Sequence, residues 1–259
     1  MPGNSQVKIV LTARDQRLLK ELALAKIIDR ELAKEIAPFT STTRANARLL
    51  QLSRAGLLKR FFVGTVAGCR KSLYCLSRKG AESVKAPFKL IQRRSDALIV
   101  GDIYIEHQLE INSIWAQVKF RPIPAVDVHF VRFLTFPSVL SKQTPLIPDG
   151  YFELGSPSGL IPVFLEVDRG TETLKVFAKK ISLYLQLALA GEFQVLFKQS
   201  RFRVLVIAHS ERRLNILKHL AAKHTDKIFW FATLSDINKQ GLFAPIWQRP
   251  DGRTGLSLL

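Results

Sequence analysis

Pro148-Asp149-Gly150-Tyr151-Phe152, followed by Pro162-Val163-Phe164-Leu165-Glu166-Val167-Asp168, is the stretch on which the fold turns. The second segment is an apolar run that ends on acids. Bounded by turn signals, such a run is the pattern of a strand buried on both faces. Gly155-Ser156-Pro157-Ser158-Gly159 lies between the two segments and reads as a turn. The resulting hairpin sets Asp149 beside the acidic strand end, seventeen residues further on. Two or three carboxylates converging there have the oxygen-donor chemistry that holds Mg²⁺ or Mn²⁺. Such an ion activates water, or a hydroxyl, against a phosphodiester. Taken singly, Asp149 also suits a plain turn and Glu166 a salt bridge to a lysine.

Outward from this hairpin the pattern alternates. Upstream lie a helix over 102–118 and a strand over 126–133. Downstream come a helix over 171–190, a strand over 203–208, a helix over 211–222 and a strand over 228–231. Alternation of this kind predicts an α/β domain over 96–259, a mixed sheet flanked by helices on both faces.

The first third has a different grammar. Thr12-Ala13-Arg14-Asp15 has the form of a capping box, followed by Leu18, Leu19, Leu22 and Ala25 at helical spacing. Asp29 begins a second, short helix that buries Leu32, Ala33 and Ile36. Pro38 interrupts, and Thr40 or Ser41 caps a third helix. In that third helix Ala45, Leu49 and Leu52 share one side. Thr43, Arg44, Ala47, Gln51 and Arg54 point the other way, with Arg48 on the flank. Arginines among small hydrogen-bonding residues suit a helix that enters a DNA major groove. A hairpin follows: residues 57–63, a turn at 64–68 and a return strand at 72–76. Arg70 and Lys71 are expected near its tip, within reach of phosphates. Helix, short helix, turn, helix and hairpin together predict a winged helix-turn-helix over 1–84, with a linker at 85–95.

Charge supports a polyanionic partner. The chain carries 39 Lys and Arg against 21 Asp and Glu, a net of +18, and residues 1–95 hold 20 basic against 6 acidic. A patch of that kind binds double-stranded DNA by releasing its counterions. Cys69 and Cys75 form neither a zinc set nor a disulfide framework, which fits a reducing cytoplasm. The opening MPGNSQVKIV lacks signal-peptide form, and no apolar run is long enough to span a membrane. No phosphate loop of the GxxxxGK[ST] form occurs, so any ATP use falls to a partner.

Pro148-Asp149 with Glu166-Val167-Asp168 resembles the restriction-endonuclease-like PD-(D/E)xK motif, with Asp168 where that motif has lysine. Lys180, on the following helix and on the face of Phe177 and Tyr184, is the candidate replacement, unless it snorkels to solvent. Arg169 is a second nearby cation. A closer resemblance covers most of the chain. Leu11-Thr12-x-Arg14-Asp15, His107, Pro148-Asp149-Gly150-Tyr151-Phe152, Glu166-Val167-Asp168-Arg169-Gly170-Thr171-Glu172 and Tyr184 together resemble the replication-relaxation family of plasmids and other mobile elements. That family is similar to plasmid relaxases built on a nuclease-type fold. The resemblance implies Asp149, Glu166 and Asp168 as metal ligands, with Glu110 as an extra ligand. It implies His107 in proton transfer or phosphate contact. Tyr184 reads either as a nucleophile for a covalent DNA link or as a core residue.

Three functions compete. One is a metal-dependent nicking or cleaving protein targeted by its winged helix. Another is a sequence-specific DNA binder whose nuclease-like domain is inert and serves dimerisation or docking. The last is a nuclease subunit active only within a mobilisation or transposition complex.

Overall fold

The computed structural model describes residues 9–64, 70–88 and 98–259, with backbone alone for 98–103. The opening residues, the turn at 65–68, Cys69 and most of the expected linker lie outside the described residues. The chain divides into two compact units, Met1–Ala116 and Gln117–Leu259.

In the first unit, α1 (Ala13–Ala25), α2 (Arg30–Ile36) and α3 (Thr42–Arg54) are capped by Thr12, Asp29 and Ser41. The capping box is complete: Asp15 N–H donates to Thr12 Oγ1 at 3.3 Å, and Thr12 N–H donates to Asp15 Oδ2 at 2.8 Å. Each helix buries the apolar positions expected of it, namely Leu18, Leu19, Leu22 and Ala25, then Leu32, Ala33 and Ile36, then Ala45, Leu49 and Leu52. β1 (Leu58–Gly64) and β2 (Arg70–Leu76) form an antiparallel pair, and α4 (Arg78–Ser83) follows, capped by Ser77. Ile28 bridges to Tyr74 and so ties the α1–α2 connection to the hairpin. Cys75 is buried, and burial pushes its thiol pKa up.

α5 (Leu98–Phe120) packs largely within this first unit, although its residues lie beyond the expected linker. Ile105 joins a core cluster with Ile27, Val63 and Leu73. The Asn112 side-chain amide donates to the carbonyls of Ala25 and Ile27, at 2.8 and 2.7 Å, which satisfies backbone left open at the end of α1.

The second unit is built on one five-stranded sheet in the order β3 (His129–Leu134), β4 (Gly150–Ser156), β5 (Gly159–Asp168), β6 (Arg203–Ala208), β7 (Phe229–Thr233). The first three strands are antiparallel neighbours, and β5, β6 and β7 run parallel. The crossovers are α6 (Leu174–Leu189) with the short α7 (Glu192–Phe197), then α8 (Glu211–Ala222); α9 (Leu234–Gln240) follows β7. The expected mixed α/β class is therefore observed. Neither α7 nor α9 was anticipated. Phe193 and Phe197 of α7 complete an aromatic cluster around Phe164, whose ring lies 4.9–5.9 Å from those of Tyr151, Tyr184, Phe193, Phe197 and Phe202. Full burial of one such ring contributes about 3 kcal/mol, so this cluster anchors α6 and α7 onto the sheet. Among the described residues no helix is long and apolar enough to cross a membrane.

Candidate functional site

The β4–β5 register pairs Gly150 with Leu165, which brings Asp149 alongside Glu166. Asp149 Oδ2 accepts the Val167 N–H at 2.7 Å. Only a small residue fits after this aspartate, because a Cβ on Gly150 would stand 2.7 Å from Phe133 Cζ. Glu166 is 3% exposed. Its Oε1 accepts the Tyr184 hydroxyl at 2.5 Å and its Oε2 the Lys180 ammonium at 2.8 Å. Lys180 also reaches Glu172 Oε1 at 3.1 Å. It therefore turns into the acidic cluster and does not snorkel away.

Electrostatics follow from burial. Desolvation pushes the Glu166 carboxyl above its ordinary 4.5, Lys180 opposes this, and the charge of Asp149 adds to it. Desolvation also works against the Lys180 ammonium, but Glu166 and Asp149 outweigh it and hold the lysine charged. Tyr184 is fully buried, and burial together with the Glu166 charge raises its hydroxyl pKa further. Between the two readings of Tyr184, its environment is that of a core residue that orients Glu166.

Asp168 points to the same side of β5 as Glu166 but has another partner. Arg213 of α8 grips it with two bonds of 2.8 Å, Nε to Oδ1 and Nη2 to Oδ2. Asp168 Oδ1 also accepts the Gly170 N–H at 2.7 Å, closing a turn in which Gly170 holds φ +80°. Arg213 Nη2 donates to the Glu172 carbonyl at 2.6 Å. Both oxygens of Asp168, an expected ligand, are thus engaged in organising the loop that carries Glu172. His107 and Glu110 are half-buried on α5 in the first unit, whereas Asp149, Glu166 and Asp168 belong to the second. Among the described residues no group of three or more His, Cys, Asp or Glu side chains is arranged to hold a metal ion. What does come together is a network centred on Lys180, which pairs with Glu166 and Glu172 and feels the charge of Asp149. Sequence reasoning missed two members of this network. Glu172 lay in the quoted EVDRGTE string and was given no role. No local pattern marks Arg213.

The other expected surface is on α3. Thr43, Arg44, Gln51 and Arg54 are exposed, as are Asn46 and Ala47. Arg48 departs from expectation. Its Nε donates to Asp15 Oδ1 at 3.0 Å and its Nη2 to Asp15 Oδ2 at 2.5 Å and to the Val10 carbonyl at 2.8 Å. The buried, helix-capping Asp15 needs a counter-charge, and Arg48 supplies it. Arg70 is exposed at the start of β2, opposite Gly64. Lys71 also departs from expectation in being ion-paired with Asp29, the cap of α2, while keeping nearly half of its side chain exposed. A groove of about 690 Å³ runs between these elements, lined by Thr43, Asn46 and Ala47 of α3 and by Arg60, Arg70 and Lys71 of the hairpin.

Residues 14–198 match the replication-relaxation family, well over half of the chain. The chain belongs to that family. Neither a curated protein nor a solved structure gives a significant match. Replication-relaxation membership suggests a role in replication or in mobile-element DNA processing. The family match spans the α3 surface and the Asp149–Glu166–Lys180 set and stops before β6, so Arg213 lies beyond it.

Proposed function

We propose that this protein binds double-stranded DNA of a plasmid or other mobile element through a winged helix formed by its first unit, and nicks or cleaves it with a PD-(D/E)xK-like site in its second. The observation that carries the nuclease reading is the 2.8 Å contact between Lys180 Nζ and Glu166 Oε2. It returns in space the lysine that the sequence lacks at position 168.

On this reading a divalent ion would use this donor set. Asp149 and Glu166 are adjacent carboxylates, and Mg²⁺ commonly takes one or two carboxylates and completes its shell with water and phosphate oxygens. Those two residues would hold it, and when bound it supplies activation of water or a hydroxyl. Lys180 offers a positive charge to the scissile phosphate. Asp168 acts through Arg213 on the loop. On the DNA-binding side, Thr43, Arg44, Asn46, Ala47, Gln51 and Arg54 face the major groove, and Arg60 and Arg70 contact phosphates.

The test is conversion of supercoiled DNA to open circles by the full chain with Mg²⁺ or Mn²⁺. Asp149→Ala and Glu166→Gln abolish it on this reading, and cleavage that survives both changes overturns the assignment. A second reading, a DNA-binding regulator or assembly subunit with an inert nuclease-like domain, is favoured by the engagement of all four oxygens of Glu166 and Asp168 with protein groups. It predicts salt-dependent DNA binding without metal, no cleavage by the protein alone, and activity only if a homodimer or a mobilisation or transposition complex supplies the rest.

A further inference from the structure

Two arginines converge on one tryptophan at the far end of the sheet. Arg203 starts β6, Trp230 is the second residue of β7, and Arg249 lies on the segment that bridges to the outer side of β7 through Gln248 and Phe231. Leu205 pairs with Trp230, so Arg203, two residues earlier, shares the Trp230 face. The Phe231–Gln248 bridge is antiparallel, which sets Arg249 opposite Trp230 on that same face. Both guanidinium carbons lie 4.9 Å from the Trp230 ring centroid.

No carboxylate neutralises this pair among the described residues. Arg203 donates to the Leu258 carbonyl at 2.5 Å and Arg249 to the Asp226 carbonyl at 2.6 Å. Asp251 is taken by Arg253, at 2.6 Å. Asp226 and Asp251 attract Arg249 only at longer range. Arg249 Nε is buried without a hydrogen-bond partner. Burial lowers the pKa of both arginines; repulsion from Arg249 lowers Arg203 further, and repulsion from Arg253 lowers Arg249. Two like charges held together with an unused donor are costly unless an anion completes them.

We infer that Arg203, Trp230 and Arg249 form a phosphate-binding site of the second unit, separate from the Asp149–Glu166 pair. The indole holds both planar forks in place, and such forks match the oxygens of a phosphate. The site lies about 10 Å along the strands from the level of Glu166 and on the opposite sheet face, since Glu166 pairs with Val206, three residues beyond Arg203. It also falls outside residues 14–198. The phosphate comes either from a DNA backbone or from a free anion.

Both sources are tested on the full chain with Arg249→Gln and with Arg203→Gln/Arg249→Gln. Inorganic phosphate, compared with chloride at equal ionic strength, raises the thermal midpoint of the wild type and not of the variants. With a DNA duplex, the slope of log affinity against log salt falls by about 1 in the single and about 2 in the double variant. Phosphate stabilisation with an unchanged DNA slope supports the site and assigns it to free phosphate. Equal stabilisation of variant and wild type, or none in either, together with an unchanged slope, overturns it. Arg249→Lys keeps the charge and loses the fork, so it serves if the glutamine variants do not fold; unchanged phosphate stabilisation in it overturns the bidentate site. The phosphate arm needs neither cleavage nor site reading by α3, so its failure is distinct from failure of the proposed function.

Discussion

Lys180 Nζ and Glu166 Oε2 lie 2.8 Å apart, joining the first half of α6 to the end of β5. Lys180 also contacts Glu172, and the buried Glu166 also accepts the Tyr184 hydroxyl, so moving Lys180 away leaves Glu166 without its counter-charge. Lys180→Met therefore leaves Glu166 buried without its cation. The expected loss is about 3 kcal/mol near neutral pH. The folded protein then holds the Glu166 proton more tightly than the unfolded chain does, so the variant loses further stability as pH rises above the ordinary 4.5. Urea midpoints at several pH values, with Glu166→Gln added to restore stability, check both statements.

Arg213 is the positioning residue for the loop after β5. Arg213→Gln removes both bonds to Asp168 and the bond to the Glu172 carbonyl, at an expected cost of about 3 kcal/mol. The Gly170 amide, which donates to Asp168, is the reporter: its hydrogen exchange should quicken in the variant. Arg213→Lys should restore only part of the protection, because a point-like ammonium lacks the planar fork that grips both Asp168 oxygens. Unchanged Gly170 exchange would show that the loop stands without the clamp.

In the first unit, burial alone would raise the Asp15 pKa. Hydrogen bonds from Arg48 and Thr12 outweigh it and hold the carboxyl below its ordinary 3.8. The stabilisation is therefore complete above that value and disappears as pH falls through the lowered one. Asp15→Ala should cost about 3 kcal/mol at neutral pH and flatten the acid limb of the unfolding curve followed by circular dichroism. Arg48→Ala should act through stability in the same way. If it weakens DNA binding without destabilising the fold, the Asp15 pairing is not its main role.

Gly150→Ala puts a methyl group against the buried Phe133 ring, at 2.7 Å before relaxation. The expected loss is about 2 kcal/mol from overpacking. Phe133→Leu in the same chain should recover part of it, a coupling that a double-mutant cycle on thermal unfolding would measure. Simple additivity would place the strain elsewhere.

Among the described elements, those legible in the sequence were the ones whose cause is local. Helix caps at Thr12, Asp29 and Ser41 act within one turn, and apolar positions three and four apart mark the buried stripe directly. Hairpin geometry is nearly as local, which is why Asp149 and Glu166 were expected together and meet. The fate of Asp168, Arg48 and Lys71 was not legible. A charged side chain takes the partner that packing brings within reach, and these partners stand far off in the chain: Arg213 is 45 residues from Asp168, and Arg48 is 33 from Asp15.

By itself, then, the order of residues determined the class of fold, the starts of the first three helices, the acidic hairpin and the basic first third, because each depends on periodicity, turn chemistry or summed charge. Only the tertiary structure decided which acids stay paired, that Lys180 enters the cluster, and that Arg203 and Arg249 share one indole. Such choices depend on desolvation and distance in three dimensions, which spacing along a chain does not encode.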